Sequence, residues 1–269
     1  MRERRAILMG VVNVTPDSFS DGGRFMGAEA ALEQARKLAA EGAGIIDVGG
    51  ESTRPGSLPV SLEEELARAV PAVRAICRAL PEAAVSIDTT KAEVARRAIE
   101  AGASIINDVS ALRADPAMAA VAAETGARVV LMHMQGRPAD MQRAPRYRDV
   151  VGEIYDFLAK RLEFATSCGI ARERLIVDPG LGFGKTPEHN LEIVRRIGRF
   201  RELGCPVLVG PSRKSFLGAL TGAGPGERDC VSAACVALLV AGGADIVRVH
   251  NVRLARQAAL LAEAVAGAG

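Results

Sequence analysis

The chain has 269 residues, of which 49% are hydrophobic and 3% aromatic, and its formal net charge is +2. This length fits one or two domains, and the apolar content is sufficient for a large core of mainly aliphatic side chains. The near-neutral balance, with no separate basic run, argues against a nucleic-acid or membrane surface.

Cysteine usage and the apolar tracts predict a cytoplasmic, soluble protein. The five cysteines are odd in number and lack a CxxC pair, which is typical of buried free thiols in a reducing compartment. A basic start followed by an apolar run superficially resembles a signal peptide, but Asn13 and Asp17 interrupt that run. The most apolar tract, residues 231–247, is broken by two glycines and Asp245, which favours a core helix and strand over a membrane span.

Short apolar runs alternate with helical patterns along the whole chain. The predicted strands are residues 7–12, 44–48, 84–87, 103–106, 128–132, 175–177, 206–209 and 245–249. The predicted helices are 28–40, one beginning after Ser61 with Glu64 completing a capping box, 91–101, 115–124, 149–167, 187–203, 228–241 and 253–266. Four helix-to-strand joins share a Gly-Ala pair, at 42–43, 102–103, 126–127 and 243–244, where glycine would end the helix.

This alternation predicts an α/β fold with parallel strands and right-handed crossovers. Eight β/α units in one chain predict a single (β/α)8 TIM barrel spanning residues 1–269, with the active site at the carboxyl ends of the strands. A doubly wound open sheet is the competing architecture, but no G-x-G-x-x-G follows the first strand.

Polar residues follow nearly every predicted strand. They are Asn13, Asp47, Asp88, Asn107, His133, Asp178, the loop 212–215, and Arg248 with His250. A single residue of this kind is usually a helix cap, but the repetition predicts a polar pocket at one end of the barrel.

The acceptors Asp88, Asn107 and Asp178 suit a flat heterocycle with a guanidine-like edge, since carboxylates accept from N–H groups and an amide both donates and accepts. Asp178 is followed by Pro179 and three glycines that allow backbone to approach a bound group. Two alternatives remain: a network that only braces the barrel mouth, and a glycosidase-like pair of carboxylates, which Asn107 fits less well.

The last strand predicts a phosphate site. Arg248 and His250 alternate and so point the same way, and Arg offers phosphate a bidentate fork. With Asn13 as an oxygen ligand, a Mg²⁺ ion carried by a pyrophosphate is plausible. The loop 212–215 (SRKS) could receive an anion while Lys214 reaches the pocket, or could simply cap a helix.

Two other features bear on phosphate binding and closure. The segment Gly184-Lys185-Thr186 is not a Walker A loop, because Pro179 stands where that motif needs its first glycine. The long loops 15–25 and 49–59 mix Gly, Ser, Pro and charge, which is typical of mobile lids, and Phe19 and Arg54 have the reach to act from them.

Several motifs closely resemble the dihydropteroate synthase family over nearly the full chain. They are residues 9–23 (MGVVNVTPDSFSDGG), 46–56 (IDVGGESTRPG), 178–185 (DPGLGFGK), 212–215 (SRKS) and 248–250 (RVH). One departure is Asn251, where the family usually carries Asp; it leaves Arg248 and His250 untouched.

The resemblance implies condensation of 6-hydroxymethyl-7,8-dihydropterin diphosphate with 4-aminobenzoate, with release of pyrophosphate, in a cytoplasmic homodimer. It implies that the pterin is held by Asp88, Asn107, Asp178 and Lys214, and the diphosphate with its Mg²⁺ by Asn13, Thr53, Arg248 and His250. It implies an aminobenzoate site made by Phe183, Ser215, Phe19, Arg54 and Pro55. The implied catalytic set is Arg54, Asp88, Lys214, Arg248 and His250.

Two rival functions remain open. A methyltransferase of the related pterin-binding barrels would share the pterin carboxylates but would not need residues 53–55 or Arg248 with His250. A non-catalytic pterin-binding barrel would bind the pterin diphosphate without turnover.

Overall fold

The computed structural model describes residues 5–15, 24–52, 57–137 and 140–267. Within these ranges the chain alternates parallel strands with helices. The strands are β1 (Ile7–Asn13), β2 (Ile45–Gly49), β3 (Ala84–Asp88), β4 (Ile105–Asp108), β5 (Arg128–Met132), β6 (Leu175–Asp178), β7 (Leu208–Val209) and β8 (Ile246–Val249).

Helices connect these strands on the outside of the sheet. They are α1 (Arg24–Glu41), α2 (Leu62–Ala79), α3 (Ala92–Glu100), α4 (Met118–Thr125), α5 (Val150–Ser167), α6 (Pro187–Arg195), α7 (Ser215–Thr221), α8 (Asp229–Ala241) and α9 (Val252–Gly267). In the described ranges, no helix combines the length and the apolar character needed to cross a membrane.

The sheet closes into the predicted TIM barrel. The hydrogen-bonded strand order is β6-β5-β4-β3-β2-β1-β8-β7, so the first strand pairs with the last. The ring is completed between β6 and β7 by a single parallel bridge, Val177 to Val207, and by the Val177 N–H, which donates to the Pro206 carbonyl at 3.0 Å. Both faces of these short strands are buried, as the continuous apolar runs predict.

Alternation along the strands sorts their side chains between two cores. The barrel interior is filled at its lower level by residues from seven strands, Met9, Ile45, Ile105, Val130, Ile176, Leu208 and Ile246. The outward residues, such as Ile46, Val48 and Ile87, pack against the helices in a second, larger core. The next interior level toward the carboxyl ends carries Asp47 and Ser86, so the barrel turns polar there.

The predicted local signals hold at most element ends. Glycines 42, 102, 126 and 243 all have positive φ at the predicted helix-to-strand joins. The Ser61 side chain accepts from the Glu64 backbone N–H at 3.1 Å, which caps α2. The five cysteines are free thiols, as predicted, but the prediction that all are buried is wrong: Cys205 and Cys235 are buried, Cys77 and Cys168 are half-buried, and Cys230 is exposed.

The predicted helix 187–203 is wrong, because α6 ends at Arg195 and a 3-10 segment covers Ile197–Leu203. Gly198 weakens the helix there. A Cβ added at Gly198 would lie 3.1 Å from the Gly242 carbonyl oxygen, so the segment packs closely on the end of α8.

Helix α4 and strand β7 also begin later than predicted. Helix α4 begins at Met118, because Asp115 is used in a turn, where its carboxylate accepts from the Ala117 and Ala92 N–H groups at 2.9 and 2.8 Å. Strand β7 is reduced to Leu208–Val209 because Pro206 has no N–H to give to a ladder.

Candidate active site

The register of the first four strands brings polar residues to one level of the rim. Asn13 is aligned with Gly49, Gly49 with Asp88, and Asp88 with Asn107. Asp88 and Asn107 are buried and Asn13 is half-buried. Because parallel strands end at the same edge, residues far apart in sequence become neighbours in one pocket.

Arg248, on β8, spans the pocket floor between two carboxylates. Its Nε donates to Asp47 Oδ2 at 2.6 Å, and its Nη2 donates to Asp88 Oδ2 at 2.8 Å. The Asn107 amide Nδ2 donates to the same Asp47 oxygen at 3.2 Å. One guanidinium edge is therefore fixed on the protein, and among the described residues Nη1 has no protein acceptor. Sequence reasoning placed Asp47 at the strand ends but gave it no role.

This cluster holds two carboxylates for one guanidinium. Burial raises the pKa of Asp88 to about 7, which Arg248 opposes and the neighbouring acids Asp47, Glu65 and Asp108 reinforce. Burial works against the charged Arg248, but Asp47 and Asp88 outweigh it and raise the pKa of the guanidinium above its ordinary value. The Asp88 carboxyl therefore takes up a proton more readily than an exposed aspartate does.

Asp178 ends β6 at the opposite side of the pocket. Its Oδ1 accepts from the Gly180 backbone N–H at 2.7 Å. Burial raises the pKa of Asp178 to about 6, although the Gly180 N–H and the cations Lys214, Lys185 and Arg248 all favour the ionised form. The adjacent turn thus supplies one hydrogen-bond donor to this buried carboxylate.

The turn after Asp178 lies directly on the turn after β5. Gly180 has φ +69°, and a Cβ added there would lie 2.0 Å from the His133 carbonyl oxygen. Gly184 has φ +63°, and its Cβ would lie 2.3 Å from the Gln135 carbonyl oxygen. Glycine is required at both positions by close backbone approach as well as by conformation.

Lys214 and Phe183 form one wall of the pocket. The Lys214 Nζ lies 4.1 Å from the centroid of the Phe183 ring, a cation–π contact. Burial and Arg248 lower the pKa of Lys214 to about 8, while Asp178 and Asp88 act in the opposite direction. Its stem passes over Gly182, where a Cβ would lie 2.9 Å from the lysine Cδ.

Lys185 is a buried cation that sequence reasoning discarded together with the Walker A hypothesis. Its Nζ lies 3.1 Å from His133 Nδ1 and donates to the Phe183 carbonyl at 2.9 Å. Burial lowers the pKa of Lys185 to about 7 and that of His133 to about 2, so the imidazole is neutral, and with its proton on Nε2 it accepts at Nδ1 from the Lys185 amino group. Lys185 thus ties the β6–α6 turn to the end of β5.

The loop 212–215 is held from both sides. The Ser212 hydroxyl lies 3.0 Å from His250 Nδ1 and accepts from the His250 backbone N–H at 3.2 Å. Arg213, at φ +59°, donates through Nε and Nη2 to Asp229 at 2.7 and 3.0 Å. These bonds fix the two residues immediately before Lys214, and Ser215 begins α7 at an exposed position.

Asn251 takes part in the same support. Its Nδ2 donates to Asp229 Oδ2 at 3.1 Å, and its Oδ1 accepts from the Leu254 N–H at 3.1 Å. An aspartate here would cap α9 equally well but could not donate to Asp229. Asn251, where the family usually carries Asp, therefore adds a hydrogen bond between the residue after His250 and Asp229.

The base of the second predicted lid is anchored by a partly buried ion network that sequence reasoning missed. Lys91 Nζ donates to Glu51 and, at 2.5 Å, to Glu65, which is 1% exposed. Arg68 donates to the Gly50 carbonyl at 3.2 Å. The apolar pattern of α2 gave no sign that Glu65 would face inward.

The structure thus gathers Asn13, Asp88, Asn107, Asp178, Phe183, Lys214, Ser215, Arg248 and His250 around the carboxyl end of the barrel. Phe19, Thr53, Arg54 and Pro55 lie outside the described residues, and their roles stay predictions.

The family model of pterin binding enzymes matches residues 9–250. Dihydropteroate synthase from Synechocystis sp. is 46% identical over 263 residues, covering 97% of this chain and 91% of that protein. The chain belongs to the dihydropteroate synthases. This family consists of transferases of folate biosynthesis, and its assignment confirms the resemblance of the strand-end motifs.

Solved structures of the family agree with the fold. Dihydropteroate synthase from Xanthomonas albilineans with 4-aminobenzoic acid has a TM-score of 0.91 and 45% identity, covering 98% of this chain and 94% of that chain. The same bacterium's enzyme in complex with 7,8-dihydropteroate has a TM-score of 0.88 and 41% identity, covering 100% and 97%. At this similarity the barrel and the order of its loops are shared.

Proposed function

We propose that the protein condenses 6-hydroxymethyl-7,8-dihydropterin diphosphate with 4-aminobenzoate to give 7,8-dihydropteroate and pyrophosphate. The observation that carries this proposal is the pocket itself. It combines buried acceptors from three strands with the half-buried cations Lys214 and Arg248. Relatives solved with 4-aminobenzoic acid and with 7,8-dihydropteroate supply the two ends of the reaction.

Asp88, Asn107 and Asp178 would hold the pterin ring, with Lys214 beside them. The pyrimidine part of a pterin presents N–H donors, and these acceptors are buried where water competes poorly. The raised pKa of Asp178, about 6, still leaves it mostly ionised at neutral pH, so it accepts rather than donates.

Arg248 and His250 would hold the diphosphate. With the Nε and Nη2 edge of Arg248 fixed on Asp47 and Asp88, its remaining N–H groups can meet an anion in a set orientation. Ser212 orients His250 through the ring nitrogen Nδ1. Thr53 remains a predicted member of this set.

A Mg²⁺ ion bound together with the diphosphate fits the oxygen donor at the rim. Among the described residues, no group of three His, Cys, Asp or Glu side chains could hold a metal ion. Asn13 offers an amide oxygen at the end of β1, and Mg²⁺ commonly takes one or two protein ligands plus substrate phosphates and water. When bound, the ion would offset the negative charge of the pyrophosphate.

Phe183, Ser215 and Lys214 would form the described part of the aminobenzoate site. The Phe183 ring gives an aromatic ligand an apolar wall, and Lys214 over that ring places a cation near a carboxylate or a developing charge. Phe19, Arg54 and Pro55 are predicted to complete this site.

The reaction would be a dissociative substitution. The bond between the methylene carbon and the diphosphate oxygen breaks first, and the electron pair leaves with the pyrophosphate. Arg248 and His250 would stabilise the leaving anion, and the pterin ring would delocalise the cation-like carbon. The arylamine nitrogen then bonds to that carbon and loses a proton to solvent or to the departing pyrophosphate. An arylamine needs no strong base, which agrees with a pocket built of cations and acceptors.

The test is pyrophosphate release from the pterin diphosphate, with and without 4-aminobenzoate. We expect release to require 4-aminobenzoate and to yield equimolar dihydropteroate. Saturable binding of the pterin diphosphate without any release would instead identify a non-catalytic pterin-binding barrel. Methyl transfer from a methylfolate to a corrinoid protein would identify the methyltransferase.

We further propose that the protein acts as a homodimer in the cytoplasm. The five free thiols support a reducing compartment. Exposed apolar side chains lie on the last helices, with Leu220 on α7, Leu238 on α8, and Leu260, Leu261 and Val265 on α9. Analytical ultracentrifugation should give about twice the mass of one chain, and a monomer at micromolar concentration would contradict the dimer.

A further inference from the structure

Asp47 is the most buried member of the pocket cluster, at 0% exposed, and it lies one layer below the pocket rim. Its Oδ2 accepts from both Arg248 Nε and Asn107 Nδ2. The other oxygen, Oδ1, is buried without a hydrogen-bond partner among the described residues. Burying a carboxylate costs free energy, and two hydrogen bonds to one of its oxygens do not offset that cost for the fold alone.

What Asp47 fixes is orientation. An asparagine amide can turn over and exchange its oxygen and nitrogen at little cost unless a neighbour accepts only or donates only. Asp47 can only accept when ionised, so it pins the Asn107 nitrogen toward itself. Asn107 then presents its Oδ1 and its second N–H to the ligand in one order.

The same oxygen also fixes Arg248. Asp47 takes the Nε–H and Asp88 takes one Nη2–H, so the two carboxylates grip one side of the guanidinium plane. Lateral rotation of that plane would break both bonds. The groups that face the two halves of the substrate, Asn107 and Arg248, therefore share one positioning residue.

We propose that Asp47 is a positioning residue that sets ring specificity by locking the Asn107 amide, and that holds Arg248 for the leaving group. This inference rests on the proposed function, because it takes a pterin as the ligand. Pterin and lumazine differ in that a 2-amino group beside an acceptor ring nitrogen is replaced by a 2-oxo group beside a ring N–H. A locked amide distinguishes these two patterns, whereas an amide that is free to turn accommodates either.

The test compares the dissociation constants of 6-hydroxymethylpterin and 6-hydroxymethyl-lumazine, measured by calorimetry. We expect the parent to prefer the pterin, and Asp47→Ala to lower the ratio of the two constants at least tenfold. Asp47→Asn should retain most of the ratio, because Arg248 Nε only donates and would hold the new amide oxygen at the position that accepts from Asn107. A parental ratio in a folded Asp47→Ala would overturn the inference.

Ser86→Ala is the matched control. Ser86 is aligned with Asp47 across β2 and β3, is 0% exposed, and its Oγ has no hydrogen-bond partner among the described residues. The substitution therefore perturbs the same layer without removing a hydrogen bond to Asn107 or Arg248. A fall in the ratio for Ser86→Ala equal to that for Asp47→Ala would reduce Asp47 to a packing role and overturn the inference.

Neutron diffraction from deuterated crystals of the parent with 6-hydroxymethylpterin decides the matter even if Asp47→Ala does not fold. A deuteron on Asn107 Nδ2 directed at Asp47 is the expected result, and an amide turned the other way would overturn the inference. Failure of the parent to bind the pterin at all would overturn the proposed function as well, so the two failures are distinguishable.

Discussion

At the scale of single residues, the pocket depends on groups that no other side chain replaces. Arg248 is the clearest example, because Asp47 and Asp88 accept from two different nitrogens of one planar edge. Lysine has one ammonium and no plane, so it cannot satisfy both carboxylates and also face a diphosphate in a set orientation.

Arg248→Lys should therefore lower the rate of pyrophosphate release by about 100-fold, equivalent to about 2.7 kcal/mol. Arg97→Lys is the control, since Arg97 also binds two carboxylates, Glu93 and Glu100, but on the exposed surface of α3. The rate of pyrophosphate release by this control variant should stay within about threefold of the parent, because exposed ion pairs contribute little to stability. Equal rates for Arg248→Lys and the parent would remove Arg248 from the leaving-group site.

The sequence predicted which residues would face the pocket better than it predicted their partners. Asp88, Asn107, Asp178 and Arg248 could be placed because each follows or ends an apolar run. Asp47 could not be assigned a role, because its bonds cross 60 residues to Asn107 and 201 to Arg248 and exist only once the barrel closes. Lys185 was missed for the same reason, since its partner His133 belongs to another strand.

At the scale of elements, the turn between β6 and α6 carries the tightest backbone contacts of the pocket. Gly180 has positive φ, and a Cβ added there would lie 2.0 Å from the His133 carbonyl oxygen. Gly204 has nearly the same φ, +70°, but a Cβ there would meet nothing within 4 Å. Alanine substitutions at Gly180 and Gly204 therefore separate the free-energy cost of positive φ from that of the close contact.

Gly204→Ala should lower the free energy of unfolding by about 1 kcal/mol, the usual cost of a left-handed alanine. Gly180→Ala should cost at least about 2 kcal/mol more, because a methyl group cannot share space with a carbonyl oxygen, and the turn must move. It should also weaken pterin binding, since Asp178 accepts from the Gly180 N–H. Urea unfolding and calorimetry measure both effects, and equal losses in the two variants would contradict the close contact.

Element boundaries were less predictable than the existence of the elements, although α7 (Ser215–Thr221) corresponds to none of the predicted helices. The eight strands follow from apolar runs and glycine joins, which are local signals. The break after Arg195 and the short β7 depend on packing against α8 and on the seam between β6 and β7, so propensity alone extended both elements too far.

At the scale of the whole molecule, the pocket lowers stability at neutral pH. Burial raises the pKa values of Asp88 and Asp178 to about 7 and 6, and lowers those of Lys185 and Lys214 to about 7 and 8. In each case the folded state disfavours the charged form relative to the unfolded chain. Ligand groups that pair with these charges would recover part of that free energy, so the unliganded site is strained in favour of binding.

Asp178→Asn tests this cost, and its sign follows from proton linkage. Between the ordinary pKa of 3.8 and the folded value of about 6, the folded parent binds more protons than the unfolded chain, so this carboxyl destabilises the fold as pH rises. The amide does not titrate and can still accept from the Gly180 N–H. The variant should therefore match the parent near pH 4 and exceed its unfolding free energy by about 1–2 kcal/mol at pH 8, somewhat below the full linkage value because Lys185 and Lys214 lose a counter-charge.

Asp229→Asn provides a control of opposite sign. The Arg213 side chain holds the pKa of Asp229 below its ordinary value, so this carboxylate stabilises the fold above that ordinary value and the contribution disappears as pH falls through the lowered one. Asp229→Asn should therefore lose stability at pH 8 and lose less at low pH, although partial exposure keeps the change small. Urea unfolding of both variants and the parent at pH 4 to 8 measures the two slopes. If Asp178→Asn lost stability in step with Asp229→Asn as pH rose, the Asp178 carboxylate would be stabilising the fold and the pocket would not be strained.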